Sequence, residues 1–143
     1  MKPATFYKVI DTISALFILL FVYTATSKLL SYQSSLNNLK SSPLIGFAAS
    51  FLGWGIPLVE LSISALLLLP RFRKTGLVFS FALLTLFTAY IAYMLLTSSH
   101  LPCSCGGIIN TLSWRQHLWL NVFLALLAAT AIYLNHRLKF LLQ

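Results

Sequence analysis

Residues 53–74 read GWGIPLVELSISALLLLPRFRK: an apolar run with one carboxylate, Glu60, that stops at Pro70 and at once meets Arg71, Arg73 and Lys74. A helix of this composition has no polar face to offer water, and the basic cluster marks where the chain leaves hydrocarbon. The run reaches back to residue 41, so 41–70 is long enough to cover a hydrocarbon core of about 30 Å at roughly 1.5 Å per residue.

Working outward, residues 12–27 form an uncharged run closed by Lys28, and residues 75–97 and 118–135 supply two more. Of 143 residues 59% are hydrophobic and 8% charged, with mean hydropathy +0.87. Soluble domains carry about a quarter charged residues, so this composition belongs to a membrane protein. The expected fold is all-α: one transmembrane domain over 1–143, a polytopic four-transmembrane-helix bundle with spans at about 10–30, 44–69, 76–97 and 117–135. Lys2 and Lys8 ahead of the first run, with small residues near Ala25 and Ser27, imitate a signal peptide. Three further spans and the length of the apolar run favour a retained helix. The formal net charge of +8 is placed at span ends, where membrane orientation requires it. Nucleic acid is therefore not an expected partner, since no basic surface interleaved with aromatics is present; membrane lipid is.

Four spans put both termini on one side. Lys2, Lys8, Arg71, Arg73, Lys74, Arg137 and Lys139 fall on that side, and only Lys28, Lys40 and Arg115 on the other. The positive-inside rule then places the termini in the cytoplasm and the first and third loops outside. For a bacterial inner (cytoplasmic) membrane, the multi-pass chain would present the loop between the third and fourth spans to the oxidising periplasm.

That loop holds both cysteines of the chain, in SSHLPCSCGG, residues 98–107. A disulfide between Cys103 and Cys105 needs a sharp backbone bend to bring the Cα atoms within about 4.4–6.8 Å, and a strained bridge of this kind tends to be labile or catalytic. Gly106 and Gly107 keep side-chain bulk away from an approaching thiol, and Pro102 stiffens the near side of the loop. On the far side SWRQ, residues 113–116, has the form of a capping box that starts the fourth helix. Three readings of the pair stay open. It is a redox couple, or two small hydrophobes at an interface, or a soft-metal site completed by His100 or His117 for Cu(I) or Zn. In the redox reading one pair cannot relay electrons alone, so the expected partner is a thioredoxin-fold protein, periplasmic or membrane-anchored, whose own cysteines exchange with Cys103 and Cys105. A quinone is the candidate electron sink, with Tyr90, Tyr93, Trp114 and His117 as candidate wall residues. No other cofactor is expected.

Glu60 is the only acidic side chain within the four apolar runs 12–27, 41–70, 75–97 and 118–135, and an isolated carboxylate in hydrocarbon is costly, so a partner is required. Lys28 is the natural one. Were 44–69 a straight helix it would be about 39 Å long and would leave Glu60 well below Lys28. A second helix bent near residues 53–57, where Gly53, Gly55 and Pro57 interrupt it, removes the mismatch. Helical spacing groups Thr24, Ser27, Lys28 and Ser31 on one face of the first helix, and Gly53, Pro57, Glu60 and Ser64 on one face of the second. Tyr90, Tyr93 and Thr97 rise along the third helix, and Gln116, His117 and Asn121 begin the fourth. His117 is a candidate proton donor near the thiols. Ala82, Thr85, Ala89 and Ala92 form a small-residue stripe expected to pack against a neighbouring helix.

Read together, TATSKLL at the end of the first helix, IPLVELSISALLLLPRFRKTGL, LFTAYIAYMLL followed by PCSCGG, and the final WRQHLWLNVFLALLA resemble the MauE branch of the DoxX-like membrane proteins. The resemblance covers nearly the whole chain and keeps the Lys, P-x-x-E and C-x-C landmarks in order. It departs within the loop, where C-S-C-G-G, residues 103–107, stands in place of the family's C-G-C-F-G form. The resemblance implies an inner-membrane protein tied to disulfide formation or maturation of periplasmic proteins, with a family link to methylamine utilisation. It carries Cys103 and Cys105 over as the redox pair, and Lys28 and Glu60 as intramembrane polar landmarks. The expected function is thus disulfide or electron exchange at the periplasmic face, a thiol-disulfide oxidoreductase component. The alternative is a non-redox assembly subunit, or one that transports a metal or hydrophobic cargo.

Overall fold

The computed structural model describes residues 3–97 and 113–141. Five α-helices make up almost all of it: α1 (Pro3–Leu30), α2 (Tyr32–Lys40), α3 (Ala49–Leu68), α4 (Arg73–Thr97) and α5 (Trp114–Leu141), with a short 3-10 turn at Gly46–Ala48. No strand occurs among the described residues. Four segments, Ala4–Leu30, Gly46–Leu68, Arg73–Thr97 and Trp114–Leu138, are long and apolar enough to cross a bilayer. The chain is a polytopic helical membrane protein. Helices satisfy every interior backbone group within the segment, which is what a solvent without hydrogen-bonding partners demands.

The four long helices close a ring in the order α1, α3, α4, α5, with α1 and α4 on the diagonal. Its core is built from Phe17, Phe21, Ile63, Leu67, Leu77, Leu84, Ala128 and Ala131. Phe17 and Phe21 stack with centroids 5.9 Å apart. At the end nearest the chain termini, Arg73 at the start of α4 pairs with Asp11 of α1. There the α3–α4 hairpin is tight: a Cβ on Gly76 would come within 2.9 Å of Leu67. Glycine is what lets these two helices touch.

At the opposite, distal end lies an element that the span pattern does not announce. The helix α2 follows α1 after a single residue and rests on α3. The Tyr32 ring lies 5.2 Å from that of Trp54, and Gly53 admits it, since a Cβ there would stand 3.2 Å from the Tyr32 ring. The chain then turns through Ser42, whose hydroxyl shares a 2.7 Å hydrogen bond with that of Tyr90 on α4. Helix α3 runs on through residues 53–57, with Pro57 inside it. Proline brings no N–H for the Gly53 carbonyl one turn earlier. Ahead of α3 the chain leaves α-geometry through the turn at 41–45 and the 3-10 turn at Gly46–Ala48.

The small-residue stripe of α4 behaves differently from expectation. Ala82, Thr85 and Ala89 are exposed on the outside of the bundle rather than packed on a neighbour, because α4 turns Ser80, Leu84, Ile91 and Met94 inward instead. The hydroxyls of Ser64, Ser80 and Thr88 do not bridge helices either. Each donates to the carbonyl four residues back, to Glu60, Gly76 and Leu84.

Candidate functional site

Lys28 leaves the last turn of α1 and crosses to α3, where its Nζ donates to Glu60 Oε1 at 2.5 Å. Glu60 is only 1% exposed, while the Lys28 side chain keeps 19% of its surface. The ammonium also lies 5.8 Å from the centroid of the Phe87 ring on α4, in cation–π range. Three helices therefore hold one positive charge. Oε1 is occupied by Lys28, but Oε2 of Glu60 has no hydrogen-bond partner among the described residues.

The pair stands on the wall of a cavity of about 520 Å³ in the distal half of the ring. Its walls are chiefly apolar, with Phe21, Leu52, Ile56, Phe87 and Leu124 among them, and Ser35 and Leu39 of α2 close part of it. Thr24, Tyr90, His117 and Asn121 add polar groups to the lining. His117 is half-buried on the same cavity wall as Lys28. Asn121 is buried one turn later, its amide donating to the His117 carbonyl at 3.1 Å. An apolar chamber with a few convergent polar groups is the usual form of a small-molecule site.

The start of α5 is fixed by its capping box. The Ser113 N–H donates to Gln116 Oε1 at 2.9 Å, and the Gln116 N–H to Ser113 Oγ at 3.3 Å. Two otherwise orphaned donors are satisfied reciprocally. This holds His117 and Trp114 at the cavity wall and sets where the chain re-enters the bundle after leaving α4 at Thr97. Cys103 and Cys105 belong to the connection between these two points and lie outside the described residues, as does His100. Among the described residues no three His, Cys, Asp or Glu side chains gather as a metal site.

Of the four candidate wall residues, Tyr90, Trp114 and His117 line the cavity. Tyr93 is 45% exposed and is not among its lining residues. Thr97 is exposed as well. The Phe87 platform and the α2 cover escaped the sequence reading. Phe87 is one of 11 phenylalanines, and nothing in the sequence separates it from the rest. Helix α2 did leave a signal: Tyr32, Ser35, Leu36 and Leu39, spaced as one helical face, alternate with the exposed Gln33, Ser34, Asn37 and Lys40.

The family model of methylamine utilisation protein MauE matches residues 7–134. The chain belongs to the MauE family. The match runs from the first turns of α1 to near the end of α5, so Lys28, Glu60, the cysteine loop and His117 all fall within the MauE segment. Neither the curated proteins nor the solved structures contain a significant match to the chain. The MauE assignment therefore rests on the family pattern.

Proposed function

We propose that this MauE protein is an inner-membrane component that exchanges disulfides at its periplasmic face through Cys103 and Cys105, in support of the maturation of periplasmic proteins. The family's name ties that role to methylamine utilisation. The carrying observation is the C-x-C pair in the connection from α4 to α5, at the end of the bundle that holds three basic residues against seven at the other. Such asymmetry favours that end as the outward one, where a dithiol and a disulfide can interconvert. In the exchange, a thiolate of a thioredoxin-fold partner attacks one sulfur of the Cys103–Cys105 disulfide and releases the other as thiolate. The partner's second thiolate then resolves the mixed disulfide, leaving the partner oxidised and the MauE pair reduced; the reverse sequence oxidises MauE. A lipid-soluble quinone is the electron sink in this reading. Kinship with the DoxX-like membrane proteins is part of the same proposal.

Single variants test it. Of Cys103→Ser and Cys105→Ser, the one that keeps the cysteine bonding to the partner accumulates, with the oxidised partner, a mixed disulfide on non-reducing gels, because the second MauE thiol that would release it is gone; the other accumulates none. An unchanged redox state of periplasmic thioredoxin-fold proteins in both variants contradicts the proposal. The cavity favours a second reading, a non-redox assembly or cargo-transport subunit. That protein would retain function in reducing medium, whereas a disulfide couple would not, and a copper or zinc stoichiometry near one would point to metal cargo.

A further inference from the structure

The cavity beside Lys28 and Glu60 joins three features that a purely structural void would not need together. It contains a buried carboxylate oxygen, Glu60 Oε2, with no hydrogen-bond partner among the described residues. Leaving such an acceptor unpaired is costly, and an occupant able to donate a hydrogen bond removes the cost. Beside it stands an ammonium with three donors, of which Glu60 Oε1 takes one. The wall is thus able both to accept from a hydroxyl and to donate to a carbonyl. Finally, the lining runs from Glu60 in the interior to Leu86, which is 66% exposed on the outer surface of α4. The chamber communicates with the lipid side of the bundle.

We infer that the cavity is a binding site for a lipid-soluble quinone and its hydroquinone, held at the ring by Lys28 and Glu60 and entered from the bilayer past Leu86. A quinone ring has a carbonyl for the Lys28 N–H, and its reduced form has a hydroxyl for Glu60 Oε2. The apolar walls, with Phe21, Ile56 and Phe87, suit the ring and the first units of its tail. About 520 Å³ exceeds what a substituted ring alone requires and falls within the range of ordinary small-molecule pockets, roughly 300–1,000 Å³. The choice of quinone among amphiphiles rests on the disulfide reading: a dithiol that becomes a disulfide gives up two electrons and two protons, and a quinone that takes both becomes the hydroquinone.

The test is photolabelling of the purified protein in lipid nanodiscs with an azido-ubiquinone analogue, with and without excess decylubiquinone, followed by mapping of the labelled peptides. The expected result is competed label on peptides carrying 52–60, 83–91 or 114–124, unchanged in the Cys103→Ser/Cys105→Ser double variant. Glu60→Gln lowers the label but also breaks the ion pair. The decisive variant is therefore Leu86→Trp, at a mostly exposed position, which is expected to reduce competed label about tenfold, the equivalent of about 1.4 kcal/mol. Label that decylubiquinone does not compete, or that is equal in Leu86→Trp and the parent protein, overturns the site. Because binding does not use the cysteines, failure of the disulfide reading would show in the redox state of Cys103 and Cys105 and not in this labelling.

Discussion

Lys28 and Glu60 are not equivalent partners, and their difference follows from where each side chain can go. Lys28 stands two residues before the end of α1 and keeps part of its surface outside the protein, so without Glu60 its ammonium can extend toward the interface. Glu60 is enclosed in the middle of α3 and has no such exit. Removing one partner of a buried pair costs about 3–5 kcal/mol, and replacing both costs far less. Lys28→Met is therefore expected to lower the thermal or urea stability of the solubilised protein by that order, Glu60→Gln by less, and Lys28→Met/Glu60→Gln by less than Lys28→Met alone. Equal losses in the two single variants would contradict this asymmetry. Both charges stood out in the sequence because apolar runs contain so few. What the sequence could not supply was the third contact, the Phe87 ring, since an aromatic in an apolar span carries no mark of the face it occupies.

At the scale of elements, the bundle depends on close approaches that lipid does not drive. Lipid tails are as apolar as the helices, so contact surfaces rather than hydrophobic transfer hold α3 against α4. Gly76→Ala places a methyl group within 2.9 Å of Leu67 and 3.0 Å of its backbone nitrogen, and is expected to cost about 1–3 kcal/mol. Gly55→Ala meets nothing nearer than the Phe51 ring at 3.9 Å and should be neutral or stabilising. Melting curves of the two variants side by side decide the matter, and a Gly76→Ala protein as stable as its parent would show that the hairpin has slack. Ser113→Ala removes one half of the capping box and should lower stability by about 1 kcal/mol. The box was legible because its residue types and spacing are its mechanism. The four spans were legible for the same reason, composition alone marking helices that cross hydrocarbon. By contrast α2 was hidden among polar residues between two strong apolar signals, and the α4 stripe was misread because small residues favour close packing only on a face that a neighbour occupies.

For the whole molecule, the ion pairs give a scale of depth. Asp11 and Lys28 are separated by about 25 Å along α1 at roughly 1.5 Å per residue, so the Asp11–Arg73 pair and the Lys28–Glu60 pair belong to opposite halves of the bilayer. The exposed Asp11–Arg73 contact contributes about 0–1 kcal/mol and serves mainly to mark the terminal end of the bundle. The ring tightens toward that end at Gly76 and opens toward the distal end, where α2 partly covers the cavity and the cysteine connection begins and ends. The central claim, that this connection faces an oxidising compartment and carries an exchanging disulfide, is open to one direct measurement. Intact cells are treated with a membrane-impermeant thiol reagent before and after reduction, and labelling of Cys103 and Cys105 is read by mass shift. The account predicts labelling only after reduction. Thiols that label freely beforehand would contradict a standing disulfide, and thiols that label only in opened cells would place the loop on the cytoplasmic side and remove the basis of the redox reading.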